Sequence, residues 1–262
     1  MSVNQGKFVW YDVMTSDMKA AEAFYCKVVG WEAKGNDVNE QPYVVFQAGA
    51  AMIGGLMPIP DAARADGARS MWSGYIGVDD VDAYAKKVVA AGGAIHRQPS
   101  DIPNVGRFAV AADPTGAMFI LFRGSSDEAP TRAAPGTPGH VGWHELHAGD
   151  GEKAFAFYAN LFGWTKTEFM DMSGMEGATG VYQMFATGGK DTVGAVMTKM
   201  PDTPMPHWLY YFNVEAIDAA ADRVKGGGGK VVMGPHEVPG PMWIVQCLDP
   251  QGAMFALVAP KR

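Results

Sequence analysis

The chain repeats itself over about half of its length. Residues 8–17, FVWYDVMTSD, return as residues 141–150, VGWHELHAGD, and each copy leads into a Phe-Tyr pair and a Gly-Trp pair. Near the end of each copy the segment Gly-Ala-Met-Phe occurs, at 116–119 and again at 252–255. Solenoid repeats span only ~20–50 residues. The long repeat therefore indicates a tandem duplication of a whole domain.

Residues 124–139, GSSDEAPTRAAPGTPG, separate the two copies. They are rich in Pro, Gly, Ser and charge, and they show no apolar period, which is typical of a linker. We therefore predict a first domain over residues 1–123 and a second over residues 140–262. The 262 residues are enough for two domains that each bury a core.

The pattern within each copy predicts a strand, a helix and three strands, twice over. Residues 8–14 read as a strand, and Asp17 offers a helix start because its side-chain oxygen can accept from free backbone N–H groups. Gly30 suits a helix end, since glycine adopts the left-handed conformation readily. The chain is thus predicted to be an α+β protein built from four βαβββ modules.

Charge and hydropathy argue against two classes of partner. The net charge is −7, with acidic and basic residues mixed along the chain, so no basic stripe indicates a nucleic-acid surface. No run approaches the roughly 18 apolar residues of a membrane span. The first residues also lack the pattern of an export signal, and we expect a cytoplasmic protein.

Two motifs, each present in both copies, resemble a known family. They are D-x-x-x-A-x-x-F-Y-x-x-x-x-G-W at 17–31 and 150–164, and D-P-x-G-A-x-F at 113–119 and 249–255. The chain resembles the vicinal oxygen chelate superfamily of glyoxalases, bleomycin resistance proteins and extradiol dioxygenases, in its tandem two-domain form. The resemblance implies two glyoxalase-like domains. Each would be a half-open, curled mixed sheet with helices outside, cupping a small molecule. It also implies a monomer or a weak homodimer.

The positions that bind metal in such families carry other residues here. By the resemblance they fall on the first strand, the middle strand and the last strand of each copy: Trp10 and Trp143, Ser73 and Leu209, Ile120 and Ala256. Because none of these is a competent ligand for a divalent metal, we predict no metal cofactor. We expect the six residues to line the cup and contact a ligand.

Histidines near the second copy's first strand leave an alternative open. Side chains alternate along a strand, so Glu145 and His147 would share the face of Trp143, whereas His144 and His140 would face away. Glu145 and His147 could chelate Zn, Ni, Mn or Fe, with His207 as a distant third ligand. We favour the interpretation that these histidines are surface or hydrogen-bonding residues.

Each copy also places a carboxylate two residues after its first-strand tryptophan, Asp12 in one and Glu145 in the other. We predict these as ligand anchors or general bases beside the indole rings. The alternative is that they bond backbone N–H groups or an arginine. His147 and Arg107 complete the predicted ligand-binding set. Arg107 is included because it breaks the repeat, standing where the second copy has Trp243.

Three functions remain consistent with the sequence. The first is a glyoxalase or bleomycin-resistance-type protein that binds a small organic ligand without the usual metal. The second is a metal-dependent lyase, isomerase or dioxygenase of the same superfamily. The third is a non-enzymatic duplicated scaffold that acts through its surface. Enzymatic activity is left open. An active protein would be a glyoxalase-like lyase or isomerase, or a dioxygenase-like oxidoreductase.

Overall fold

The computed structural model describes residues 3–35, 42–126 and 133–262. The first copy contains eight strands and three helices: β1 (Phe8–Thr15), α1 (Met18–Val29), β2 (Glu32–Gly35), β3 (Val44–Ala48), β4 (Ala51–Pro58), α2 (Asp61–Ala65), β5 (Met71–Gly77), α3 (Val81–Ala90), β6 (Ala94–Ile102), β7 (Gly106–Ala112) and β8 (Met118–Gly124). Apart from the short helix α2, this is the predicted strand, helix and three strands, twice.

The second copy contains eight strands and two helices within the same described ranges. They are β9 (Val141–Ala148), α4 (Gly151–Phe162), β10 (Thr165–Asp171), β11 (Val181–Ala186), β12 (Thr192–Thr198), β13 (His207–Asn213), α5 (Ile217–Gly226), β14 (Lys230–Val238), β15 (Met242–Leu248) and β16 (Met254–Ala259). The α+β class and the four βαβββ modules are thus confirmed.

The strands form two mixed, eight-stranded sheets of identical topology. The first has the order β2-β3-β4-β1-β5-β8-β7-β6 and the second the order β10-β11-β12-β9-β13-β16-β15-β14. In both, the first strand of a module pairs in parallel with the last strand of that module, as β1 does with β4 and β9 with β12. The remaining neighbours within each module are antiparallel.

Local chemistry defines the ends of the repeated helices. Asp17 accepts a hydrogen bond from Ala20 N at 3.0 Å, and Asp150 accepts one from Lys153 N at 3.1 Å, so each caps the first turn of its helix. The helices end at Gly30 and Gly163, whose φ angles of 88° and 73° are left-handed. The predicted starts and ends of α1 and α4 therefore have the expected physical basis.

The chain divides into two compact units, and each draws on both copies. Unit 1 comprises Met1–Trp10, Gly74–Pro130 and His144–Trp208, and unit 2 comprises Tyr11–Ser73, Thr131–Trp143 and Leu209–Arg262. The predicted boundaries at residues 123 and 140 follow the sequence repeat instead. They stay a prediction about how the copies are delimited along the chain.

In unit 1, helix α3 of the first copy packs against helix α4 of the second. The rings of Tyr84 and Phe162 stack at this contact with centroids 5.9 Å apart. In the same unit, Tyr158 of α4 receives a hydrogen bond from Trp208 Nε1 at 3.1 Å and donates one to Asp113 Oδ2 at 3.4 Å. All three side chains are buried, so the two copies share one core in this unit.

In unit 2, the equivalent arrangement joins helices α1 and α5. Tyr25 receives a hydrogen bond from Trp72 Nε1 and donates to Asp249 Oδ2, both at 2.9 Å. Asp249 also accepts from Gln251 N and Ala253 N, which holds the turn of its D-P-x-G-A motif. The two repeated motifs therefore meet each other inside the core, each contributed by a different copy.

Candidate functional site

In unit 2, the predicted second-copy positions come together in one apolar cluster. Leu209, Tyr211, Ala256 and Val258 are buried, and the partly buried Trp143 packs against them. The three positions that would hold a metal in metal-using relatives thus lie side by side. Their contacts are those of hydrocarbon and indole surfaces, which offer no ligand lone pair of the kind a divalent metal requires.

In unit 1, two predicted first-copy positions meet in a similar cluster. Trp10 packs against the buried side chains of Tyr75, Phe108 and Ile120. The third position, Ser73, is a buried residue of β5 in unit 2. The structure therefore brings Trp10 together with Ile120 and gives both copies an aromatic, largely apolar cluster at matching positions.

The first-copy carboxylate has a tyrosine partner. Tyr43 donates a hydrogen bond to Asp12 Oδ1 at 2.7 Å, and Asp12 is almost fully buried. Gly55 lies directly across from Asp12 on β4. A Cβ at Gly55 would overlap the Tyr43 hydroxyl, so this glycine provides the space in which the hydrogen bond forms.

The second-copy carboxylate lies in a larger polar cluster within unit 1. Tyr182 donates to Glu145 Oε2 at 2.7 Å, and His147 Nε2 lies 2.8 Å from Glu145 Oε1. Ala195 stands across from Glu145 where the first copy has glycine, and the longer glutamate accompanies this larger neighbour. We call Glu145, His147, Tyr182 and His207 the second-copy polar cluster.

His207 completes this cluster by stacking on His147. The two imidazole rings are nearly parallel, at 4° to each other, with centroids 4.8 Å apart. The Nδ1 atom of His207 lies 3.1 Å from the carbonyl oxygen of Met205. Burial, followed by the neighbouring His147, lowers the pKa of His207, so its ring is neutral near pH 7.

Two imidazole nitrogens of the cluster are buried without a hydrogen-bond partner among the described residues. They are His147 Nδ1 and His207 Nε2. A carboxylate and a carbonyl oxygen accept here, so in the neutral imidazoles the hydrogen atoms lie on His147 Nε2 and His207 Nδ1. The two unpartnered nitrogens are therefore hydrogen-bond acceptors.

Other predicted residues lie in different surroundings. Arg107 is a half-exposed residue of β7 whose guanidinium donates to Asp82 at 2.6 Å and to Asp101 at 2.9 Å. These carboxylates, Asp82 first, raise the pKa of Arg107. His144 stacks on Phe8, with ring centroids 4.1 Å apart, and its Nδ1 lies 2.7 Å from the carbonyl oxygen of Val193. It therefore has a packing role.

The metal implied by the fold family does not fit the residues present. In the part of the chain that the structure describes, no three His, Cys, Asp or Glu side chains are grouped so that they could hold a metal ion. Glu145 Oε1 and His147 Nε2 bond each other directly. The rings of His147 and His207 are parallel, which keeps their lone pairs in separate planes rather than directing them at one ion.

Sequence reasoning missed Tyr43 and Tyr182 as the partners of the two buried carboxylates. Tyr43 directly precedes β3, and Tyr182 is the second residue of β11. They lie 31 and 37 residues after the carboxylates that they bond. The spacing differs because the copies differ in length before β3 and β11. The signal available was a tyrosine next to the first residue of the third strand in each copy.

Comparison with known proteins agrees with this geometry. The sequence pattern described as the Glyoxalase/Bleomycin resistance protein/Dioxygenase superfamily matches residues 7–121 and 137–257. The chain therefore belongs to that superfamily, and the two matches cover the two copies. No described helix is both long and apolar enough to cross a membrane.

Relatives align with this chain over nearly the whole of both sequences. The protein CFP32 of Mycobacterium bovis, provisionally named a glyoxylase, is 33% identical over 98% of this chain and 95% of its own. The anthracycline biosynthesis protein DauV of Streptomyces sp. strain C5 is 30% identical over 97% of this chain and 93% of its own. DnrV of Streptomyces peucetius, with the same description, is 29% identical over 97% and 93%.

Solved structures support the fold. The Mn(II)-bound glyoxalase from Novosphingobium aromaticivorans aligns with a TM-score of 0.64 at 20% identity, covering 100% of this chain and 83% of that one. The 2,3-dioxygenase LapB from Pseudomonas sp. KL28 aligns with a TM-score of 0.63 at 14% identity, covering 100% and 93%. At these identities the likeness concerns the fold alone.

Proposed function

We propose that this chain is a glyoxalase-type protein that binds a small organic ligand in the cup of its sheets without the metal used by many relatives. The ligand is held against apolar and aromatic side chains and oriented by a buried carboxylate. We place the protein in the cytoplasm, with a small molecule as its partner and without nucleic acid or membrane. We further propose that it is a monomer or a weak homodimer.

The observation that carries this proposal is the carboxylate–tyrosine pair found in each copy. Tyr43 bonds Asp12 and Tyr182 bonds Glu145, both at 2.7 Å, and both carboxylates are buried. A buried carboxylate held by a phenol is a fixed acceptor in surroundings of low dielectric, where its interaction with a ligand is strong. Its occurrence in both copies supports a retained role in binding.

The apolar clusters supply the second part of such a site. Trp143 and Tyr211 in one cluster, and Trp10 and Tyr75 in the other, present flat aromatic surfaces among aliphatic neighbours. Small-molecule sites are mostly apolar, with a few polar groups that fix orientation. The relatives named for anthracycline biosynthesis support an organic molecule as the ligand.

A thermal-shift screen followed by calorimetry tests the proposal. The panel contains α-keto aldehydes with thiols, catechols, planar basic antibiotics and divalent metals. We expect at least one organic compound to raise the melting temperature of the wild type. We also expect Asp12→Asn or Glu145→Gln to weaken its binding about tenfold or more, because the negative charge that strengthens the hydrogen bond is lost. The exposed substitution Glu176→Gln is the control.

Metal analysis of protein purified without chelators tests whether ligand binding is metal-free. Stoichiometric Zn, Ni, Mn or Fe that disappears in the double variant Glu145→Gln, His147→Gln would contradict metal-free binding and favour a metal-dependent enzyme. Failure of every organic compound to stabilise the wild type would instead favour a scaffold that acts through its surface.

A further inference from the structure

The two copies differ at the positions of the stacked histidines. By the sequence repeat, His147 matches Met14 and His207 matches Met71. Tyr43 and Asp12 in the first copy match Tyr182 and Glu145 in the second, so both copies have the carboxylate–tyrosine pair but only the second has the imidazole pair. The second copy therefore has two imidazole rings at the positions where the first copy has the thioether side chains of Met14 and Met71.

The hydrogen-bond arrangement defines what these nitrogens can receive. Glu145 uses one oxygen for Tyr182 and the other for His147, which fixes the His147 hydrogen on Nε2. The Met205 carbonyl oxygen fixes the His207 hydrogen on Nδ1. His147 Nδ1 and His207 Nε2 remain as buried acceptors without a partner among the described residues, and only a donor can satisfy them.

We propose that the second-copy polar cluster is a binding site for uncharged ligands with N–H donors, such as primary carboxamides, from which His147 Nδ1 and His207 Nε2 accept hydrogen bonds. This inference rests on the proposed function and adds the chemical class of the ligand and the copy that recognises it. The hydrogen bond between His147 Nε2 and Glu145 Oε1 holds the first ring in orientation.

Entry of such a ligand requires a small rearrangement, because protein atoms cover both nitrogens. His207 is only partly buried, and it lies two residues after a mostly exposed segment, residues 201–205, that contains Pro and Met. Met205, whose carbonyl oxygen lies beside His207, is 64% exposed.

The test compares benzamide with N,N-dimethylbenzamide, which has the same aromatic ring and carbonyl group but no N–H. We expect wild-type protein to bind benzamide about tenfold more tightly by calorimetry, because the dimethyl compound leaves both acceptors unsatisfied. In nitrogen-15 spectra of labelled protein, the signals of His147 Nδ1 and His207 Nε2 should be those of unprotonated nitrogens, and both should move when benzamide binds.

The first copy supplies the matched variant. His147→Met with His207→Met gives the second copy the residues of the first, and this double variant should bind the two amides equally. His144→Gln, on the same strand but outside the polar cluster, should keep the preference. Thermal unfolding of each variant verifies that it is folded, and the two-ligand comparison in the wild type does not depend on any variant.

The outcomes separate the inference from the function on which it rests. Equal binding of both amides by the wild type, or a hydrogen found on His147 Nδ1, overturns the donor site but leaves small-molecule binding in place. That result is expected if water alone occupies the two acceptors. Absence of binding by either amide overturns the proposed ligand class, and if the wider screen is also negative the proposed function falls with it.

Discussion

Two buried tyrosines, one in each unit, join a tryptophan of their own copy to the aspartate of the other copy's D-P-x-G-A-x-F motif. Tyr25 bonds Trp72 and Asp249, and Tyr158 bonds Trp208 and Asp113. The geometry is not identical, since the tyrosine–aspartate distance is 2.9 Å in the first network and 3.4 Å in the second. Burial, followed by the charge of Asp249, raises the pKa of Tyr25 well above its usual value, so it remains a donor.

This difference predicts unequal effects of the same substitution. Tyr25→Phe should lower the free energy of unfolding by about 2–3 kcal/mol, because it leaves a buried indole N–H and a buried carboxylate without their partner. Tyr158→Phe should cost less, about 1–2 kcal/mol, because its bond to Asp113 is longer. Urea unfolding measures both values, and a larger loss for Tyr158→Phe would contradict this account.

His207 predicts how stability depends on pH. Its pKa is lowered below the usual 6.5, by burial first and by His147 second, whereas Glu145 acts in the opposite direction. As the pH falls through the usual value of 6.5, His207 therefore binds a proton in the unfolded chain before it does so in the folded chain. Stability should decrease from about pH 7.5 to about pH 5.5, and the decrease should be smaller in His207→Met. The free energy of unfolding is measured by urea unfolding at each pH. If it changes equally with pH in the wild type and in His207→Met, this contribution of His207 is excluded.

Sequence reasoning located the carboxylates and the tryptophans but not the groups that hold them. Asp12 and Glu145 follow from the alternation of side chains along one strand, which is a local property. Their tyrosine partners are Tyr43, directly before β3, and Tyr182, on β11. Which residue reaches a carboxylate there depends on register and on the space left at Gly55. Similarly, the stacking of His207 on His147 joins β13 to β9, which no local spacing reveals.

At the scale of elements, the segment before each copy's first strand is tied to the tryptophan of the other copy's Gly-Trp pair. Trp31 Nε1 donates to the Gly139 carbonyl oxygen in unit 2, and Trp164 Nε1 donates to the Gly6 carbonyl oxygen in unit 1, both at 2.7 Å. Gly6 and Gly139 have φ angles of 72° and 80°. Each turn thus relies on glycine to reach its indole.

Alanine at Gly6 should destabilise the protein more than alanine at a matched glycine elsewhere. Its Cβ would lie 2.5 Å from the Phe162 carbonyl oxygen, whereas nothing lies within 4 Å of a Cβ at Gly30, whose φ is 88°. Both substitutions carry the left-handed strain of roughly 1–2 kcal/mol, and Gly6→Ala adds a steric clash with backbone. Melting temperatures compare the two, and an equal shift would show that the turn relaxes freely.

The repeated elements were predictable because aspartate caps, glycine ends and alternating strands are encoded locally. The short helix α2 was missed, since Asp61–Ala65 has no side-chain cap and no buried residue to give an apolar period. The pairing of α1 with α5 and of α3 with α4 was also beyond prediction. The apolar faces of these helices specify that they are buried, but not which helix covers them.

At the scale of the whole molecule, each compact unit is made of segments from both copies. Unit 1 takes 74–130 from one and 144–208 from the other, and unit 2 takes 11–73 and 209–262. Neither copy therefore contains a complete unit. The sequence repeat marks how the gene product is duplicated, whereas the units mark how its core is assembled.

Cutting the chain between the copies should leave the protein assembled. A protease site inserted between residues 126 and 133 should be cleaved without separation of the halves on gel filtration, because each unit holds segments from both. Either half expressed alone should lack a cooperative unfolding transition as a monomer, since its helices lose their partners. Separation of the cleaved halves, or a stable monomeric half, would show that a single copy is self-sufficient.

The interleaving of segments also bears on synthesis of the chain at the ribosome. The last residue that unit 1 requires is Trp208, whereas unit 2 requires residues up to Arg262. Residues 11–73 are synthesised early, but their helix α1 is covered only after residues 209–262, the last fifth of the chain, have been made. During translation, the apolar face of α1 therefore remains exposed until residues 209–262 have been made. A chaperone that binds exposed apolar helices would recognise the nascent chain during this period.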